Sequence, residues 1–183
     1  MKRKMRFPYL LLCVALCLTM ATSCHTSKKA STDYYQSHID QLDNGGRKNR
    51  HKKNYDSKMG KKIIEEAYTW LGTPYSYACA EKGVATDCSG MVLQVYEKIA
   101  GIKLPRNSAK QAEFCKSINK KEVKIGDLVF FATGKNEDVI SHVGIMVDDK
   151  NFIHASASKG VVVSDMTQPY YVRTFRGFGR VKD

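Results

Sequence analysis

The hydrophobic period of this chain changes part-way along its length. Ile63, Ile64, Ala67, Trp70 and Leu71 form an apolar stripe at helical spacing, and Gly72-Thr73-Pro74 ends it. A turn-rich loop from Pro74 to Thr86 follows. Met91, Val92, Val95, Tyr96 and Ile99 then mark a second helix, closed by Gly101. Ser108 to Cys115 reads as a short third helix. From Asp127 onward the pattern is one of short β-type segments between turn residues: Asp127 to Phe131, His142 to Val147, Asn151 to Ala155, Gly160 to Val163 and Phe175 to Val181. Helices first and strands later predict an α+β fold, with N-terminal helices packed on a small antiparallel β-sheet.

Before Met59 the pattern is different. Lys2 to Arg6 is a charged stretch, Leu10 to Met20 an apolar run, and Ala21-Thr22-Ser23 a set of small residues, the order found in a secretory signal. The apolar run is too short to span a bilayer comfortably. Cysteine directly after the small residues resembles a bacterial lipoprotein signal. Residues 1–23 are therefore expected to be a lipoprotein-type signal peptide, and Cys24 the lipidated first residue of the mature chain. A lipid on Cys24, rather than a helix, would then hold the protein to a membrane of the cell envelope. Residues 24–58 are polar and aperiodic, with Asn44-Gly45-Gly46 and a basic run from Arg47 to Lys53, and read as a flexible basic tether. Residues 59–183 are the expected folded domain.

The 183 residues carry a net charge of +12. Four of the cations lie in the signal, which has no acidic residue, so the remainder carries +8. A basic body suits a polyanionic surface such as cell wall or membrane, or serves solubility alone. Nucleic acid is disfavoured as a partner, because the charge concentrates in the tether of an exported chain without interleaved aromatics. Cys13 and Cys17 leave with the signal and Cys24 is used by the lipid. Cys79, Cys88 and Cys115 remain, an odd number, so at least one thiol stays outside any intramolecular pair.

Asp87-Cys88-Ser89-Gly90 opens the second helix. A thiol there sits where unpaired backbone N–H groups and the helix dipole favour an anion, and the thiolate is the nucleophilic form. One imidazole to take the proton and a second polar ring to orient it complete the parts of a cysteine hydrolase. His142 and His154, in strand-like segments, are the candidates. If those segments form a hairpin across Asp148-Asp149-Lys150, an odd loop places Val147 opposite Asn151 and both histidines on one face. A two-residue loop separates them. Each of these residues also has a plainer reading: Cys88 as a buried inert thiol, Asp87 as a helix cap, Tyr75 as a packed loop aromatic, and either histidine as a structural one. A zinc site from Cys88, His142 and His154 suits the ligand types but lacks the usual spacing.

Six blocks in order carry a family resemblance. They are Gly72-Thr73-Pro74-Tyr75, Asp87-Cys88-Ser89-Gly90, Leu104-Pro105-Arg106-Asn107-Ser108 with Gln111, Gly126-Asp127-Leu128-Val129-Phe130-Phe131, His142-Val143-Gly144-Ile145 and Phe152-Ile153-His154-Ala155-Ser156. Together they resemble the NlpC-type cysteine endopeptidases of bacterial cell walls. The resemblance implies a papain-like fold and a peptidoglycan stem-peptide substrate, cut between D-glutamate and the diamino acid, with no cofactor. It implies Cys88 as nucleophile, His142 as general base, His154 as the residue orienting it, Tyr75 as an oxyanion donor, and Asp87 and Ser89 as substrate-binding positions near the peptide amine. Many relatives place a glycine pair where Tyr77-Ala78-Cys79 stands, which changes the shape of the cleft. The alternatives are amidase or acyltransferase chemistry on the same scaffold, or an inactive wall-binding lipoprotein. A monomer is expected.

Overall fold

The structure, a computed structural model, describes residues 58–182 together with Ser37 and Asp40. Contacts divide the chain into residues 1–48 and 49–183. Of the first unit only Ser37 and Asp40 are described, both helical and exposed. The expected signal, Cys24 and all of the expected tether but Ser37, Asp40 and Lys58 lie outside the described residues. Among the described residues no helix is long and apolar enough to cross a membrane.

Helix α1 (Lys58–Tyr68) buries Ile63, Ile64, Ala67 and Tyr68. Glu66 is buried with them, and its carboxylate is held by Lys98 at 2.6 Å, Lys82 at 3.1 Å and the Trp70 indole N–H at 3.3 Å. A two-stranded ribbon, β1 (Ala80–Glu81) with β2 (Ala85–Thr86), occupies the loop ahead of helix α2 (Cys88–Ala100). Asp87 caps α2, its side chain accepting the Gly90 N–H at 2.7 Å, and Gly101 ends it in the left-handed region at φ 71°. Helix α3 (Ser108–Phe114) is capped by Asn107.

The remaining strands are β3 (Lys116–Ile118), β4 (Leu128–Phe131), β5 (His142–Met146), β6 (Asn151–Ser156), β7 (Gly160–Asp165) and β8 (Phe175–Arg180). They form one antiparallel sheet in the order β3-β8-β4-β5-β6-β7. Helix α2 packs on β5 and β6 at its centre. One face of the sheet gathers Val129, Phe131, Met146, Phe152 and Phe178 into an apolar cluster with Tyr171 and Phe175. The five strands and three helices expected from the pattern are present, with ends shifted by three residues at most except that α1 starts at Lys58, five residues before the first residue of its apolar stripe. Two larger elements escape the pattern. Strand β3 is only three residues, too short for alternation to register, and it exists because β8 offers it an edge. Helix α4 (Pro169–Thr174) is six residues, less than two turns, and is started by Pro169 rather than by an apolar stripe.

Candidate active site

Cys88 is the first residue of α2 and is 7% exposed. Its sulfur meets the sheet at the start of β5, accepting the Val143 N–H and lying beside the N–H groups of Ser89 and Cys88 itself. These donors favour the thiolate. Burial opposes them more strongly, aided by the Asp87 charge, and pushes the thiol up to about 11.

The histidines owe their meeting to the β5–β6 turn. Val147 donates to the Asn151 carbonyl at 2.9 Å, and Asp148 accepts from the Lys150 and Asn151 N–H groups at 2.7 Å each. The loop is thus the three residues 148–150, and Ile145 pairs with Ile153. This odd count puts His142 and His154 on one face, as the catalytic reading of the hairpin requires. Their rings stand perpendicular, with His142 Nε2 2.8 Å from His154 Nδ1. Gly144 lies between them; a Cβ there would come within 2.6 Å of Phe152 Cδ2 and 3.2 Å of His154 Cβ. With Nε2 engaged by His154, Nδ1 is the ring nitrogen of His142 left for another partner. Burial pulls His142 down to about 4, and burial followed by the charges of His142 and Lys159 lowers His154. Burial therefore disfavours the charged form of the Cys88 thiol and of the His142 imidazole alike.

Asp87 and Ser89 flank Cys88 in the chain, and Tyr75 lies near enough to feel the charges of Cys88 and Asp87. Asp87 is 5% exposed and its carboxylate is fully engaged. Oδ1 accepts from Gly90 N–H at 2.7 Å, Arg106 at 2.9 Å and the Ser89 hydroxyl at 3.2 Å, while Oδ2 accepts from Ala78 N–H and Arg106, both at 2.8 Å. Burial would raise this acid; the Arg106 pair and the two N–H donors outweigh it and hold the acid below its ordinary value. The single Ser89 hydroxyl proton is shared between Asp87 Oδ1 and the nearer Arg106 carbonyl at 2.7 Å. Gln111 ties the start of α2 to the same loop, its amide donating to the carbonyls of Ser89 and Pro105 at 3.0 and 2.8 Å. Tyr75 bridges to Thr86 and is half-buried. Burial, then the charges of Cys88 and Asp87, raise its pKa, so the phenol remains a donor. Ala78 adopts φ 62°. It accepts this strained conformation to aim its N–H at Asp87.

Pattern reasoning gave no role to three residues that touch this constellation. Arg106 lies within a quoted block, and a buried aspartate at a helix start was the available signal that a cation must reach it. Ser164 and Tyr171 contact His154 Nε2 at 2.9 and 3.2 Å. Nothing in their local sequence marks them. Cys79 and Cys115 are free thiols, as is Cys88. Among the described residues no three His, Cys, Asp or Glu side chains are grouped to hold a metal ion.

Residues 72–180 match the NlpC/P60 family. A probable endopeptidase of Haemophilus influenzae is 37% identical over 129 residues, covering 67% of this chain and 78% of the relative. The murein DD-endopeptidase MepS/murein LD-carboxypeptidase of Escherichia coli is 35% identical over 121 residues, covering 66% of this chain and 62% of that enzyme. A crystal structure described as similar to lipoprotein, NLP/P60 family, from Staphylococcus aureus superposes with a TM-score of 0.62 at 31% identity, over 77% of this chain and 47% of that one. The chain thus spans less than half of that structure's length and under two thirds of the Escherichia coli enzyme's.

Proposed function

The chain belongs to the NlpC/P60 family of cysteine peptidases, and from that premise we propose that it is a cell-wall endopeptidase cutting peptidoglycan stem peptides. The observation that carries the reading is Cys88 at a helix start, its sulfur accepting the N–H of Val143 next to His142, with His142 hydrogen-bonded to His154 on one sheet face. His142 takes the thiol proton as the sulfur attacks an amide carbonyl. Burial disfavours both charged forms, which suits general-base transfer of the thiol proton to His142 during attack. The oxyanion is met by the Tyr75 hydroxyl and the Cys88 N–H. His142 returns the proton to the departing amine, and water then releases the acyl group from sulfur. His154 orients His142. Asp87 and Ser89, braced by Arg106, shape the wall that receives the peptide's amino end; the Asp87 carboxylate does this chiefly by fixing the backbone of residues 78–90.

The scissile bond in this reading joins D-glutamate to the diamino acid. The name of the Escherichia coli relative points to a second possibility, the DD crosslink. A lipid on Cys24 and a basic tether over 24–58 would hold the domain, from 59 to 183, within reach of the wall. Digestion of defined muropeptides by wild-type and Cys88→Ser protein, with products identified by mass spectrometry, tests the whole reading. Peptide release by the wild type and none by a folded Cys88→Ser variant is expected, and the product masses identify the bond. Turnover by Cys88→Ser, or glycan-linked amide cleavage or acyl transfer in place of stem-peptide cleavage, refutes it. Wall binding without turnover by the wild type assigns the inactive alternative.

A further inference from the structure

We infer that Ser164 and Tyr171 are positioning residues that fix the tautomer of both site histidines. This rests on the endopeptidase reading for its importance to turnover, but not for its geometry. A single proton can lie between His142 Nε2 and His154 Nδ1, which are 2.8 Å apart. If His142 Nε2 carries it, His142 Nδ1 presents a lone pair to the thiol and His154 carries its own proton on Nε2. If His154 Nδ1 carries it, neutral His142 is protonated on Nδ1 and cannot act as a base. The hydrogen bond at the far end, His154 Nε2, distinguishes the two arrangements: an N–H there needs an acceptor, and a lone pair there needs a donor.

His154 is 2% exposed, so protein groups settle the matter. Ser164 Oγ is 2.9 Å from Nε2, and the Tyr171 hydroxyl is 3.2 Å from the same nitrogen and 3.3 Å from Ser164 Oγ. A phenol is the more acidic of the two hydroxyls, so Tyr171 donates to Ser164. Ser164 lines an open cavity of about 510 Å³ with Gln168 and Lys159, so its own proton is free to turn away from Nε2. Its oxygen is then left as an acceptor facing Nε2–H. The chain runs in one direction: His142 Nε2–H to His154 Nδ1, then His154 Nε2–H to Ser164 Oγ, which leaves the His142 Nδ1 lone pair for the thiol of the endopeptidase reading. Tyr171 is held for this task by packing against the Phe131 and Phe152 rings, with centroids 5.4 and 4.8 Å away. Without Ser164, the nearest group to Nε2 is the Tyr171 hydroxyl itself, a good donor, and donation from it selects the unproductive order.

The test is a long-range ¹H–¹⁵N spectrum of the histidine-labelled protein, which separates the two neutral tautomers without substrate. In the wild type, His142 and His154 are both expected as Nε2–H. Ser164→Ala is expected to populate the Nδ1–H form of His154 and to lower kcat about tenfold with KM little changed. Ser164→Thr, which keeps the hydroxyl on a strand, is expected to restore both. An Nδ1–H His154 in the wild type, or Ser164→Ala with unaltered tautomers, overturns the inference. A kcat loss that Ser164→Thr does not rescue also counts against it. Because tautomers are read without turnover, failure of the endopeptidase reading would show separately, as an inactive wild type with both rings in the expected form.

Discussion

Gly144→Ala is the sharpest test of how the fold builds the histidine pair. Gly144 faces His154 across the β5–β6 ladder, two residues after His142 on the same face. An added Cβ would lie 2.6 Å from Phe152 Cδ2, 3.0 Å from the Ile153 carbonyl oxygen and 3.2 Å from His154 Cβ. The first contact can be relieved by a ring movement. The second is with backbone in the adjacent strand and the third with the first carbon of a buried side chain, so the strands must part. Overpacking of this kind costs about 2 kcal/mol, which for a domain of this size lowers Tm by roughly 8 °C. The same displacement pulls the two rings apart, and misplacement of about 1 Å at a general base lowers kcat by about a hundredfold. Differential scanning calorimetry and muropeptide turnover measure the two effects. Phe152→Leu in the Gly144→Ala background is expected to return part of the stability but not the activity, because only the aromatic contact is removed. A Gly144→Ala protein with wild-type Tm and kcat would refute the argument. A lowered Tm with full kcat would mean that the ring pair does not depend on this close approach.

Four further expectations follow from the site. His154→Asn should lose about tenfold in kcat and His154→Ala about a hundredfold, since an amide oxygen can still accept from His142 Nε2–H; equal losses would remove the orienting role. Because burial holds His142 down to about 4, well below its ordinary value, an unfolded chain binds a proton that the folded chain refuses. The neutral ring's stabilising contribution is therefore complete above about pH 6.5 and declines as pH falls toward about 4. Urea midpoints should decline over that range more steeply for the wild type than for His142→Gln, and equal slopes would contradict the assignment. Arg106→Gln leaves the buried Asp87 carboxylate with backbone N–H and hydroxyl donors only. Since the guanidinium is partly in solvent, the expected loss is about 2 kcal/mol in chemical denaturation rather than the full cost of a buried broken pair, and no loss would mean the pair is dispensable. Ala78→Gly should raise Tm slightly, as relief of the left-handed strain, about 1 kcal/mol or more, outweighs the added freedom of the unfolded chain; a fall in Tm would show that Ala78 is not strained.

Much of this molecule was legible because its information is local. The α1 stripe, the Asp87 cap, the Gly101 stop and the alternation of β5 and β6 all depend on residues within one or two turns or one hairpin of each other. The shared face of His142 and His154 was legible only as a condition: side-chain direction in a strand has period 2, so it requires an odd loop, and the folded 148–150 turn supplied that count. The order Cys88, His142, His154 is likewise a property of the chain.

Tertiary structure alone decided what those groups meet. Whether Cys88 lies in water or against the sheet depends on how α2 packs against β5, and burial in the folded chain raises the thiol and lowers the His142 imidazole. Asp87 pairs with Arg106 across a separation of 19 residues, and Ser164 and Tyr171 reach His154 from 10 and 17 residues away. No period or local motif encodes such distances, because they arise when separate elements settle on one sheet. Sequence therefore supplied the reacting groups and their order, while desolvation and the partners at the far end of each hydrogen bond, which set protonation and direction, came only with the folded chain.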